Sequence, residues 1–110
     1  MSYLQIKLGK QERGLKFNQL AIELIAQYND GATSSGFLYA MIYGGLRGNS
    51  YVKREEPNYT FEQVCDWVDA IEKSEKESVI LKVTNTLTET QTWKDIVSIE
   101  TEKSEEEKKA

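Results

Sequence analysis

Leu4, Ile6 and Leu8 alternate with Gln5 and Lys7, the period of a β-strand covered on one face. Gly9 ends the run. A lone strand leaves its backbone donors and acceptors unmet, so it needs a partner: the residues around Leu15, or another subunit. The period then changes. Phe17, Leu20, Ala21, Leu24, Ile25 and Tyr28 fall at i, i+3, i+4, i+7, i+8 and i+11, one stripe that predicts a helix over 17–28. Asn29-Asp30-Gly31 is a stop signal, with glycine free to adopt positive φ.

Ser34 or Ser35 can cap the next segment. From Phe37 to Leu46 there is no charge, and a run apolar on every side reads as a buried helix over about 35–47. Ala40, Gly44 and Gly48 form a row of small residues that lets another helix approach closely. Two adjacent glycines cost about 1 kcal/mol each against alanine, which implies a packing role. Residues 49–58 read as a connection holding the only proline, Pro57.

Thr60 is an N-cap candidate, and Gln63 completes a capping box, with Tyr59 and Val64 at the hydrophobic-staple positions. Phe61, Val64, Cys65, Val68 and Ile71 then line one face of a helix predicted over 60–73, with Trp67 at its edge. Ser74 and Glu77 repeat the cap pattern ahead of a narrow stripe, Ile80, Val83, Thr84 and Leu87. The run from Val79 to Thr84 is also β-prone, so helix, favoured by the cap, competes with strand. Trp93, Ile96, Val97 and Glu100 suggest a last short helix. From Thr101 onward Glu, Lys and Ser dominate, the composition of a flexible charged tail.

The expected architecture is therefore mainly α. It is a single small domain over residues 1–100, with four to five helices, a short N-terminal strand and a charged tail over 101–110. At 110 residues and 39% hydrophobic content the chain can bury one modest core.

Composition removes much chemistry. Without histidine there is no Ser-His-Asp or Cys-His site within one chain. The single cysteine, Cys65, excludes an intrachain disulfide, a CxxC pair and a cysteine-built zinc site. On the apolar face of a helix it reads as structural, and a lone thiol suits a reducing cytoplasm. Met1-Ser2-Tyr3 lacks the basic start of a signal peptide, and no apolar run reaches the ~18–20 residues of a membrane span. Gly31 and Gly36 have P-loop spacing, but Phe37-Leu38 stands where the phosphate-binding Lys and its Ser/Thr would be. Gly44-Gly45-Leu46-Arg47-Gly48 follows no strand, so it is no dinucleotide fingerprint. Asp66, Asp69, Glu72, Glu75 and Glu77 read as a solvated face rather than a cation site. No catalytic residue, cofactor or metal is expected.

The net charge of −4 is unevenly spread. Residues 1–54 carry seven basic and three acidic side chains, and residues 55–110 seven and fifteen. An acidic chain argues against nonspecific nucleic-acid binding, although the basic half leaves some room for it. Lys53-Arg54-Glu55-Glu56 is a charged loop, either plain surface or part of a partner contact. Six tyrosines exceed what so small a core needs to hide. Tyr and Trp favour interfaces, so Tyr39, Tyr43, Tyr51 and Trp67 are the candidate partner-binding residues.

The order of these pieces resembles the tail assembly chaperones of long-tailed bacteriophages and prophages. The resemblance runs over roughly residues 3–100. A short strand leads to Leu15-Lys16-Phe17 and Leu20-Ala21-Ile22-Glu23-Leu24, then the apolar run from Phe37 to Gly45. The helix Thr60-Phe61-Glu62-Gln63-Val64-Cys65-Asp66-Trp67-Val68 comes later. The family pattern there is "Thr-Phe-Glu-Glu-Val-x-Asp-Trp-Val"-like. The β-prone stretch from Val79 to Thr84 departs from the family's helical C-terminal part. The resemblance implies a non-enzymatic protein that binds the helical tape-measure protein and keeps it soluble before the tail tube polymerises. It further implies a place in the bacterial host cytoplasm and absence from the mature virion; self-association is expected from the residues themselves. The strand at Leu4-Ile6-Leu8 and the Ala40/Gly44/Gly48 row are candidate subunit contacts. The competing classes are a helical interaction module of unknown partner, a DNA-binding regulator and a small enzyme using Asp, Glu, Lys or Tyr. A DNA binder needs a basic recognition helix, whereas helix 60–73 is acidic.

Overall fold

A computed structural model describes residues 3–29, 34–90 and 93–95. Tyr3–Leu8 (β1) and Gln11–Lys16 (β2) form an antiparallel hairpin whose register runs from Leu8↔Gln11 to Tyr3↔Lys16. The expected strand thus finds its partner within the chain. Only Gly9 and Lys10 separate the strands, and both have positive φ, 58° and 67°. That is the requirement of a type I′ turn, whose twist matches that of the strands. Ile6, Leu8 and Leu15 are buried on the inner face, with Leu4 packed beside them.

Helix α1 spans Gln19–Tyr28, two residues later than the stripe from Phe17 suggests. Asn18 causes the delay. Its backbone is extended and its side-chain oxygen accepts the Ala21 N–H at 3.0 Å, the N-cap arrangement. Its amide donates to the Gly48 carbonyl at 3.1 Å and so ties the start of α1 to the next helix. The buried face of α1 is Ala21, Ile22 and Ile25, whereas Leu20 and Leu24 of the predicted stripe are half-buried. The helix is rotated towards Ile22, because Ala21 rather than a leucine meets the glycines opposite.

Those glycines belong to α2, Ser34–Lys53, the central element of the fold. Ser34 and Ser35 begin the helix; Gly31, expected at the preceding stop, lies outside the described residues. A Cβ on Gly44 would stand 2.7 Å from the Ala21 carbonyl oxygen, and one on Gly45 would stand 2.9 Å from Leu15. One residue step turns a helix by about 100°, so the glycine pair lets α1 approach one side of α2 and β2 another. Gly48 meets the Lys16 carbonyl, Asn18 and Ala21. The small-residue row expected as a candidate subunit contact is therefore filled at Gly44 and Gly48 from within the chain, as is the pairing need of β1.

Helix α2 also runs past its expected end near Arg47. It stops in a Schellman motif: the Glu55 N–H bonds the Ser50 carbonyl at 2.9 Å and the Arg54 N–H that of Tyr51 at 3.1 Å. Arg54 has φ 57°, a position that glycine normally fills. The connection expected over 49–58 shrinks accordingly, its first residues being helical.

Helix α3 covers Phe61–Asp69, shorter than the expected 60–73, and Ile71 packs on the core from beyond its end. The capping box is complete. Thr60 Oγ1 accepts the Gln63 N–H at 3.2 Å, and Gln63 Oε1 accepts the Thr60 N–H at 2.9 Å. Helix α4, Lys73–Thr88, settles the 79–84 segment as helix, with Val83 and Leu87 buried. The box expected at Ser74 and Glu77 does not form, because the helix already starts at Lys73 with Glu72 at the cap. Residues 93–95 form one helical turn, with Trp93 packed on the core. The rest of the expected last helix and the expected tail lie outside the described residues. No helix among the described residues is long and apolar enough to cross a membrane.

Candidate partner-binding surface

A connected set of rings links α1, α2 and α3. Tyr28 stacks on Phe61 with ring centroids 4.8 Å apart, and Tyr43 meets Tyr28 edge-on at 4.9 Å and Phe61 at 5.3 Å. Offset and edge-on pairs of this kind add about 0.5–1.5 kcal/mol each beyond their buried area. Tyr43 is only 5% exposed, and its hydroxyl accepts a 2.7 Å hydrogen bond from Arg47 Nη1. It is a core residue, and its assignment to a partner surface is corrected. The uncharged run from Phe37 to Leu46 already signals that depth.

The other candidates are scattered. The Tyr39 hydroxyl donates to the Asp69 carboxylate of α3. That bond, helped by burial and the negative charge, pushes the Tyr39 pKa up to about 12. Trp67 lies on the opposite flank of α3, since two residues round a helix is about 200°. Tyr51, 68% exposed, stands at the far end of α2, two turns beyond Tyr43. The four residues do not make one patch.

Trp67 organises a site of its own. The Arg13 guanidinium lies 4.1 Å from its ring centroid, while Arg13 Nε donates to the Leu8 carbonyl at 3.3 Å. Gly9 completes the clamp, because a Cβ there would stand 2.8 Å from the indole nitrogen. Tyr59 leans on the same indole at 6.1 Å, and its hydroxyl shares a 3.0 Å hydrogen bond with Ser50. Burial raises the Tyr59 pKa. The tip of the hairpin is thereby fixed against α3.

Two recesses flank this clamp. The smaller, about 190 Å³, is polar and lies between β2, the end of α2 and the following loop. Lys53, Glu55 and Glu56 of the charged loop line it together with Arg13 and Asn49. The larger is an open groove of about 750 Å³ between the hairpin tip and the corner joining α3 to α4. Trp67, Ile71 and Val79 are its apolar part; Lys7 and Lys10 line it from the hairpin, and Glu72 and Glu75 from the corner. Of the four sequence candidates only Trp67 belongs to it. Pattern reading missed the rest, because the groove joins positions some seventy residues apart. The visible signal was Gly9 in a tight turn and a tryptophan at a helix edge.

The remaining chemistry is sparse. Cys65 is half-buried, and burial together with Asp69, Asp66 and Glu62 raises its thiol pKa. Among the described residues no cluster of three Cys, Asp or Glu side chains could hold a metal ion. Comparison with protein-family models, with curated proteins and with solved structures finds no match for this chain.

Proposed function

We propose that this protein is a tail assembly chaperone of a long-tailed phage or prophage, binding the tape-measure protein and keeping it soluble before tail-tube polymerisation. The observation that carries the reading is the open apolar groove at Trp67, Ile71 and Val79 on a small, mostly helical fold. A holding protein has to offer apolar area to a client, and a tryptophan supplies a broad ring with a polar edge. The ordered motifs from Leu15 to Val68 resemble the family and support the same role. On this reading the protein is not an enzyme. It works in the cytoplasm of the bacterial host, is left out of the finished virion, and self-associates reversibly. The acidic face of α3 weighs against the alternative of a DNA-binding module.

The test is co-expression with the tape-measure protein of the phage or prophage that encodes this chain. The expected result is a soluble tape-measure protein that co-elutes with this chain on sizing. Equal insolubility with and without this chain, and no complex, would overturn the proposal in favour of a helical adaptor for another partner.

A further inference from the structure

The groove beside Trp67 has walls of opposite charge. Lys7 and Lys10 come from the hairpin, Glu72 and Glu75 from the corner before and within the first turn of α4, and all four side chains are exposed. Trp67, Ile71 and Val79 form the half-buried floor between them. We propose that this groove receives an amphipathic helix whose apolar stripe is bordered by carboxylates on one flank and by Lys or Arg on the other. The acidic flank meets Lys7 and Lys10, and the basic flank meets Glu72 and Glu75. This deepens the chaperone reading and rests on it for the helix's source, a segment of the tape-measure protein.

The occupant follows from the walls. An extended segment laid along the floor would present mainly neutral backbone to both sides. A helix presents an apolar stripe along i, i+3, i+4 and i+7 and, about 100° to either side of it, two rows of side chains at once. Two walls of opposite sign select a helix with two flanks of opposite sign and disfavour one acidic or basic on both. The two walls are unequal. The N-terminus of α4 carries positive partial charge that offsets part of Glu72 and Glu75, so the hairpin wall weighs more. The clamp of Arg13 and Gly9 on Trp67 holds that wall in place before anything binds.

The test uses the full chain and a fluorescein-labelled synthetic helix of about 21 residues, long enough to be helical alone. Leu occupies its i, i+3, i+4, i+7 stripe, with Glu on one flank and Lys on the other. Matching helices with Glu on both flanks or Lys on both flanks are the comparators. In fluorescence anisotropy at low salt the mixed helix should bind roughly tenfold tighter than either comparator, as expected for several exposed charge pairs. K7E/K10E should weaken the mixed helix by about fivefold to tenfold, and E72K/E75K by somewhat less. The quadruple reversal restores opposite walls, so it should recover binding with the helix lying in the reverse direction. Equal binding of all three helices, or a quadruple variant no better than either double, would overturn the proposal. So would a change in the elution volume of the protein alone in the double variants, which would make a second copy the occupant.

Co-expression separates the two readings. If K7E/K10E protects the tape-measure protein as well as the parent does, the groove is not the client site, and the chaperone reading stands on that protection and on the motifs from Leu15 to Val68 instead. If the parent itself fails to protect it, the chaperone reading falls, and the synthetic helices still judge the groove.

Discussion

Gly48→Ala tests whether the chain fixes α2 against the α1 junction through glycine itself. Helix propensity alone predicts a gain of about 1 kcal/mol from alanine at an interior helical position. The surroundings predict the reverse. A Cβ at 48 would lie well inside contact distance of the Lys16 carbonyl, 2.8 Å from Asn18 Oδ1 and 3.1 Å from the Ala21 Cβ. The first obstacle is backbone, so no rotamer change relieves it, and β2 and α1 have to move together. Overpacking of this kind costs about 1–3 kcal/mol, with backbone clashes at the upper end. The movement also strains Asn18, which both caps α1 and donates to the Gly48 carbonyl, and a lost N-cap costs about 1 kcal/mol. The expected net loss is about 3 kcal/mol. Urea unfolding followed at 222 nm reads it directly. With an m-value of about 1–3 kcal/mol per molar, the midpoint should fall by about 1–3 M. Gly45→Ala, whose nearest obstacle is the Leu15 side chain at 2.9 Å rather than backbone, should fall less. A midpoint for Gly48→Ala at or above that of the parent would refute the packing argument.

Arg54→Gly should stabilise the fold by about 1 kcal/mol and so move the midpoint up, because a non-glycine residue at φ 57° carries a left-handed penalty at the C′ position of α2. Tyrosinate absorbance should show one late component near pH 12, absent in Tyr39→Phe and shifted towards 10 in Asp69→Asn. The folded pKa of Tyr39 lies above the ordinary tyrosine value of 10.0. The linked stability is therefore fully present below pH 10 and lost as pH rises through 12, so between these values the stability of the parent should fall more steeply with pH than that of Tyr39→Phe. Cys65 should react with a disulfide reagent at pH 8 more slowly than a free thiol, and faster once Asp69→Asn removes one of the charges that disfavour its thiolate.

What the pattern of residues revealed about the fold divides along one line. Elements whose signals are local were legible: the Thr60–Gln63 box placed α3, and the uncharged run from Phe37 placed the buried part of α2. Features made by tertiary contact were not. Of β2 only the neighbourhood of Leu15 was legible, as a partner for β1; Gln11-Glu12-Arg13-Gly14 has no apolar alternation and becomes a strand because β1 needs its hydrogen bonds. The last turns of α2 pass through Gly48-Asn49-Ser50, a sequence that reads as a loop. They stay helical because the Lys16–Asn18 junction fits only where a side chain is missing. The rotation of α1 towards Ile22 has the same source, since Gly44 draws Ala21 inward and displaces Leu20 and Leu24 to the rim.

The candidate surface was harder to read for a related reason. Residue type ranks an aromatic as suited to an interface but does not give its depth, and depth separates Tyr43 from Tyr51. Arg13 shows the converse. In the sequence it is one more charge in the basic half; in the fold its guanidinium is stacked on Trp67 and its Nε is bound to Leu8. The stacking face and the Nε donor of that arginine are thus committed to positioning the hairpin, leaving Lys7 and Lys10 as the hairpin charges that line the groove. The net +4 of residues 1–54 is therefore a poor guide to function. What matters is that two of those charges face two carboxylates across an apolar floor, an arrangement that exists only once a two-residue turn has been fastened to a tryptophan nearly sixty residues away.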